Sequence, residues 1–349
     1  MASITKQLQQ DDVTNLLTLL HEAVPITGSI ISGTYGDDTL ALGTNIKNYG
    51  HARFQSVYDY PYLSASSNHI FDVSVGIATS SAHIAATQSV EKSGIYNQMA
   101  QTLMGYDATG SIQAFDLDGD LSTGGDKVKE AFFINFSRLL YKDEIKKGSF
   151  AMTFMTGAYS SSYMSGGSNW TINDSGSATS FKVNSPAGEY GILKDAVAPN
   201  RARGLLFYQA GIAVLSGTAP AFAAMSASND LALGGDTFVD FLTGSSITAS
   251  CDALRHRIYN ISFNNTIELN SSVYFCRVKH NEFNYSSNPT YMNASKIVVK
   301  DVKKNAPVSY ITGIELMSAD GAVLARAKLS EPLKNSSDQE LAMRVRLDY

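Results

Sequence analysis

Cysteine is almost absent from this chain, and charge is scarce. Cys251 and Cys276 are the only two thiols in 349 residues, too few for a disulfide framework or a four-ligand zinc site. Cys276 lies in the apolar run Val273-Tyr274-Phe275-Cys276, where a buried free thiol is the ordinary outcome. Charged residues make up 17% of the chain, against roughly 25% in an average soluble domain. Its polar surface must therefore be built largely from Ser, Thr, Asn and Gln, which cost less to desolvate than ions and suit extensive protein contacts. A net charge of −5 offers no attraction to a phosphate backbone. The basic pairs Arg201/Arg203 and Arg255/Arg257 are too sparse to track one, so nucleic acid is not an expected partner.

Catalytic signatures are lacking too. There is no Walker loop, no G-x-G-x-x-G after a strand, no H-E-x-x-H and no G-x-S-x-G. The histidines (His21, His51, His69, His83, His256 and His280) are scattered without ligand spacing. His69 and His83 lie near Ser and Asp, a coincidence that a serine-rich chain produces readily. The expectation is a protein that is not an enzyme and carries no cofactor.

A secretion leader and a membrane span are likewise not expected. The opening MASITKQLQQDD has neither a basic start nor an apolar stretch, so synthesis in a cytoplasm is the expectation. Leu205 to Met225 carries no charge, which is long enough on paper to cross a bilayer. Gln209, Gly211, Ser216, Gly217, Thr218 and Pro220 interrupt it, and a buried strand over Gly204–Leu215 followed by a small-residue loop fits better.

What is present reads as an α+β N-terminal region, residues 1–254, followed by an antiparallel β-sandwich over 255–349. Three helices are predicted in the first part. One covers 11–23, with Asp11 and Asp12 at its start, an apolar stripe of Val13, Leu16, Leu17 and Leu20, and Pro25 at its end. A second covers 92–105, with Tyr96, Met99, Ala100 and Leu103 on one face. A third covers 127–147, capped by Asp126, with Val128, Phe132, Phe136, Leu139 and Leu140 as its stripe, Lys146 and Lys147 in its last turn and Gly148 beyond. Strands are expected at Ile70–Val75 and Ser149–Met155. Residues 157–180 are low in complexity and read as a long surface loop.

The one motif with metal-binding character is Asp116-Leu-Asp118-Gly-Asp120-Leu-Ser122, whose alternating carboxylates can surround a hard cation such as calcium. Two positions depart from a calcium loop: Leu121 stands where glycine is required and Lys127 where a bidentate Glu is required. The residues therefore read as an acidic turn leading into the Asp126-capped helix, with no bound metal. Aromatic residues at Tyr58, Tyr60, Tyr62, Tyr159, Tyr163, Trp170, Tyr285 and Tyr291 could form a carbohydrate platform. They are equally ordinary strand formers and interface residues.

From Phe275 onward the β signal is densest. Asp320-Gly321 favours a type I′ turn joining Ser309–Ser318 to Ala322–Ser330. Leu341, Met343, Val345, Leu347 and Tyr349 alternate with Ala342, Arg344, Arg346 and Asp348, the pattern of a strand with one wet face.

Within this stretch, Tyr274–Tyr291, Ala306-Pro-Val-Ser-Tyr-Ile-Thr-Gly-Ile-Glu-Leu316, Asp320-Gly-Ala-Val-Leu-Ala-Arg-Ala-Lys-Leu-Ser-Glu-Pro332 and Arg344–Tyr349 carry a family likeness. They resemble virion structural proteins of large tailed bacteriophages, myophages of cyanobacteria among them. The pattern is similar to the β-modules of tail, baseplate and collar-fibre proteins, and Gly204–Leu215 looks like a segment of the same proteins. The likeness covers about the C-terminal 40% well and the rest loosely; a long fibrous repeat, usual in a collar fibre, is missing. It implies a structural subunit of the virion in tail, baseplate or neck. Such a subunit would assemble in the host cytoplasm with copies of itself and other virion proteins, as a homo-oligomer without membrane or nucleic acid. The expected interaction residues are Tyr159, Tyr163 and Trp170 in one region and Phe283, Tyr285 and Tyr291 in the other. The alternative is a receptor- or glycan-binding tail component that uses the same aromatics.

Overall fold

The computed structural model describes residues 5–26, 45–59, 65–81, 87–122, 124–125, 127–155, 169–217, 245–255, 258–284, 292–293, 296–297 and 308–349. The chain forms two compact units, Leu19–Ile267 and Met1–Thr18 with Glu268–Tyr349. Both passages between the units fall inside strands, β1 (Val13–Ile26) and β14 (Ile258–Val278). The elements between those two strands are β2 (Ile46–Asn48), β3 (Gln55–Tyr58), β4 (His69–Ile77), α1 (Ser89–Leu103), β5 (Phe115–Asp116) and β6 (Lys127–Val128). Then come β7 (Glu130–Phe136), α2 (Arg138–Tyr141), β8 (Glu144–Ile145), β9 (Ala151–Met155), β10 (Asn169–Asn173) and β11 (Tyr190–Asp195). This stretch closes with β12 (Ala202–Phe207), β13 (Ile212–Ser216) and α3 (Ile247–Arg255). After β14 follow β15 (Met292–Asn293), β16 (Lys296–Ile297), β17 (Val308–Met317), β18 (Val323–Ser336) and β19 (Leu341–Asp348).

Thirteen strands share one sheet, ordered β1-β14-β9-β10-β11-β12-β13-β7-β4-β3-β2, with β8 and β19 also paired to β14. The Leu19–Ile267 unit has a core on each face of this sheet, and β7 explains why. Its sequence, Glu130-Ala-Phe-Phe-Ile-Asn-Phe136, sends Ala131 and Phe133 into a cluster with Tyr96, Ala100, Leu103, Phe115 and Phe207. Phe132, Ile134 and Phe136 point the other way, into a cluster with Phe71, Val73, Val75, Phe150 and Phe263. A strand covered on both sides reads as a continuous apolar run. Helix α1 packs on the first face by way of Tyr96, Ala100 and Leu103, and Ile247, Cys251 and Leu254 of α3 on the second.

The expected α+β class is overturned. Strand accounts for 51% and helix for 13%, in three helices among the described residues, and the architecture is predominantly antiparallel β. Of the predicted helices, 92–105 exists as α1. Residues 11–23 instead form most of β1, and 127–147 break into β6, β7, the four-residue α2 and β8. The cause is an ambiguity of spacing. Side chains four apart share a face in a strand as well as in a helix, so Phe132 and Phe136 fit both patterns; Ile134 between them, buried on the same side, fits only the strand. Gly204–Leu215 is a hairpin rather than one strand, with Gly204 opposite Leu215 and Phe207 opposite Ile212.

The other unit is β-rich as expected, but among the described residues its strands share no sandwich core. β19 pairs with β14 from Ser271↔Asp348 to Val278↔Leu341. β17 and β18 form a separate two-stranded sheet, largely exposed on both faces. The turn between them differs from the expected type I′. Gly321 N–H donates to Ser318 O at 3.0 Å, and only Gly321 takes a positive φ, 84°. This is a type I turn closed by a left-handed glycine, the usual route to a three-residue hairpin loop.

Candidate functional site

The acidic turn was the strongest chemical candidate, and strand pairing decides what it does. β5 and β6 pair with Asp116 opposite Lys127, so the lysine ammonium reaches Asp116 Oδ2 directly. Asp116 is fully buried, and burial pushes its carboxyl up against the pull of Lys127. The same oxygen accepts Leu121 N–H at 3.1 Å. Asp118 Oδ1 accepts Asp120 N–H at 3.2 Å, and Asp120 Oδ1 accepts Ser122 N–H at 2.8 Å. Leu121 adopts the left-handed φ of 57° that a calcium loop assigns to glycine at that point. Asp116, Asp118 and Asp120 do come together, with one oxygen from each within 4.8 Å of the others. One oxygen of each accepts an N–H of the loop itself, and the one buried carboxylate is paired with Lys127. A cation here would have to displace that ammonium. The turn leads into β6 rather than a helix, and Asp126 lies outside the described residues.

A second cluster gathers Ser, His and Asp in an order unsuited to nucleophilic catalysis. His69 Nε2 lies 2.8 Å from Asp72 Oδ1, and Ser56 Oγ donates to that same oxygen. The carboxylate stands between hydroxyl and imidazole, so the serine hydroxyl is bonded to Asp72 and not to the histidine, unlike the serine–histidine order of a catalytic triad. Tyr58 packs edge-on against His69, centroids 5.5 Å apart, and is half-buried rather than open to a sugar.

Trp170 is buried, 8% exposed. On β10 it sits opposite Phe154 of β9, the rings 5.5 Å apart. Its indole N–H donates to Asp195 Oδ2 at 3.0 Å. Arg203 Nη2 reaches the same oxygen at 3.2 Å, with the guanidinium 5.7 Å from the indole centroid. Asp195 Oδ1 accepts the backbone N–H groups of Val197 and Ala198 at 2.9 and 3.2 Å. Burial raises the Asp195 carboxyl, but the indole, the two N–H groups and Arg203 outweigh it and hold the group below its ordinary value. Sequence reading missed this triad. Its one signal was a charge closing the apolar strand Tyr190-Gly-Ile-Leu-Lys-Asp195 and another near the start of Ala202-Arg-Gly-Leu-Leu-Phe207.

Phe283, the described member of the second predicted region, belongs to a tightly held turn with φ of 52°. Ser309 Oγ donates to the Phe283 carbonyl, and Asn335 Nδ2 to the Glu282 carbonyl at 2.7 Å. Lys6 Nζ meets Glu282 Oε2 at 2.6 Å. The first two bonds tie the turn to the base of the β17–β18 hairpin. Tyr60, Tyr62, Tyr159, Tyr163, Tyr285 and Tyr291 lie outside the described residues.

Exposed apolar side chains on strands stand elsewhere. On the hairpin, Tyr310 is 64% and Leu324 71% exposed, with Val323 and Met317 nearby in the strands. On β1, Leu16, Leu17, Leu19 and Leu20 are each about half exposed. No helix among the described residues is long and apolar enough to cross a membrane. Comparison with known proteins finds no matching family, no matching curated protein and no matching solved structure.

Proposed function

We propose that this chain is a non-enzymatic structural subunit of a tailed-bacteriophage particle, placed in the tail, baseplate or neck, which assembles with copies of itself and with other virion proteins. One observation carries the assembly part of this reading: the hairpin β17–β18. It is a two-stranded sheet apart from the large one, with ladder pairs from Val308↔Ser336 to Met317↔Val323 and both faces largely uncovered. An isolated two-stranded ribbon is marginally stable in water, so a long one with exposed Tyr310 and Leu324 is suited to burial against a neighbour. The virion part rests on the likeness already described, whose segments Ala306–Leu316 and Asp320–Pro332 fall largely on this hairpin. The low charge of the chain agrees with the assembly part.

Electron microscopy of purified particles with this subunit labelled tests the proposal. Labels at one fixed level of the tail, baseplate or neck are expected. Particles that lack the subunit would remove the virion reading. The glycan alternative draws no support from a buried Trp170, and a glycan array probed with purified protein is expected to stay silent.

A further inference from the structure

We infer that the free edge of β1 pairs antiparallel with the β1 of a second copy of this chain, about a two-fold axis through Thr18. Among the described residues β1 stands at one end of the strand order, joined to β14 alone, so its outer row of N–H and C=O groups is open to a further strand. From Thr14 to Ala23 every residue is exposed. Successive side chains point to opposite faces, which puts Leu16 and Leu20 on one and Leu17 and Leu19 on the other. Their exposures are 45% and 48%, and 57% and 47%. Leucines on both faces are the composition of a strand buried on both faces, yet here both faces are wet. A long, exposed apolar edge of this kind is a template for strand addition, and proteins that do not use one normally guard it with charge. Val13 to His21 contains no Asp, Glu, Lys or Arg.

The sequence of the edge names its partner. Leu16-Leu17-Thr18-Leu19-Leu20 reads the same in both directions. An antiparallel pair centred on Thr18 therefore sets Leu17 opposite Leu19 and Leu16 opposite Leu20, each twice by symmetry. Outside them Asn15 meets His21, Thr14 meets Glu22 and Val13 meets Ala23, so no like charges face each other. An isologous contact, in which residue i meets j and j meets i, makes use of this symmetry, because every leucine of the edge then meets a leucine of the second copy. Pro25, lacking an N–H donor, limits the ladder beyond Val24.

This inference deepens the assembly reading by naming one self-contact, and its test is separate from particle labelling. The full chain is measured by sedimentation velocity or mass photometry across the micromolar range. The wild type is expected to self-associate, whereas L17K/L19K and L17E/L19E, each placing like charges across the axis, should be monomeric with unchanged circular dichroism. Mixing those two variants should restore a dimer, and L17E/L19K should dimerise alone because Leu17 faces Leu19 of the other copy. In a C276S background, T18C should form a disulfide-linked dimer on oxidation and A23C should not. A monomeric wild type, a wild-type mass for L17K/L19K, or no rescue in L17E/L19K overturns the inference. Dimers without particle incorporation would sink only the virion reading; incorporated subunits that are monomeric in solution would sink only the strand pairing.

Discussion

Asp195 concentrates more of the chain's buried electrostatics than any acid singled out by motif. Trp170, Arg203 and two backbone N–H groups converge on it, and Arg203 is itself only 2% exposed. Truncating one partner of a buried ion pair leaves the other charge uncompensated, at a cost of about 3–5 kcal/mol. Asp195→Ala should therefore lower unfolding stability by about that amount, read from denaturant midpoints. The pH dependence follows from the direction of the shift. The folded carboxyl is held below its ordinary 3.8, so its stabilisation is fully present above that value and is lost as pH falls through the folded one. Asp195→Asn should flatten this part of the acid limb, a difference visible when wild-type and variant denaturation curves are compared below pH 4. An unchanged limb would mean that the carboxylate is not the group responsible.

At the scale of elements, what is legible depends on whether a segment carries its apolar residues on one face or on both. Leu341–Tyr349 alternates, one side is wet, and β19 forms as the pattern states. Helix α1 was readable because Tyr96, Ala100 and Leu103 line a single face. The runs at Val13–Leu20 and Ala131–Phe136 place apolar groups on both sides, where helical and strand periodicities overlap, and each fits a helix as well as the strand it forms. The acidic turn failed differently. Its three carboxylates were evident, but Lys127 was assigned to a helix, and only the β5–β6 register brings it across to Asp116. Close approach between elements was not readable either. Gly76 on β4 lies under α1, and a Cβ there would come within 2.9 Å of Tyr96 Cα and Phe133 Cε2. Backbone cannot yield as a side-chain tip can, so Gly76→Ala should force α1 off the sheet and cost about 1–3 kcal/mol. Thermal unfolding checks this, and a variant as stable as wild type would show that the contact relaxes freely.

For the whole molecule the central asymmetry is between a unit with two apolar clusters and one whose longest hairpin covers neither of its faces. Every described member of both buried clusters lies in Leu19–Ile267, and the stability of β17–β18 rests on its ladder, on the exposed Glu315–Arg326 ion pair across it and on polar ties at its base. Those ties run from Ser309 and Asn335 to the Phe283 and Glu282 carbonyls, leaving the far end around Ala319–Gly321 without comparable support. Local opening is cheapest where few apolar groups are buried. Trypsin acting briefly on the free protein should therefore cut first at Arg326 or Lys328, in the exposed stretch of β18, while the β7, β12 and β13 core stays intact. If the hairpin is completed by neighbours, the same sites should be protected in assembled material at equal protease exposure. Equal cleavage in free and assembled protein would show that β17–β18 remains uncovered, and would move the assembly contact to another surface, with the β1 edge the first to examine.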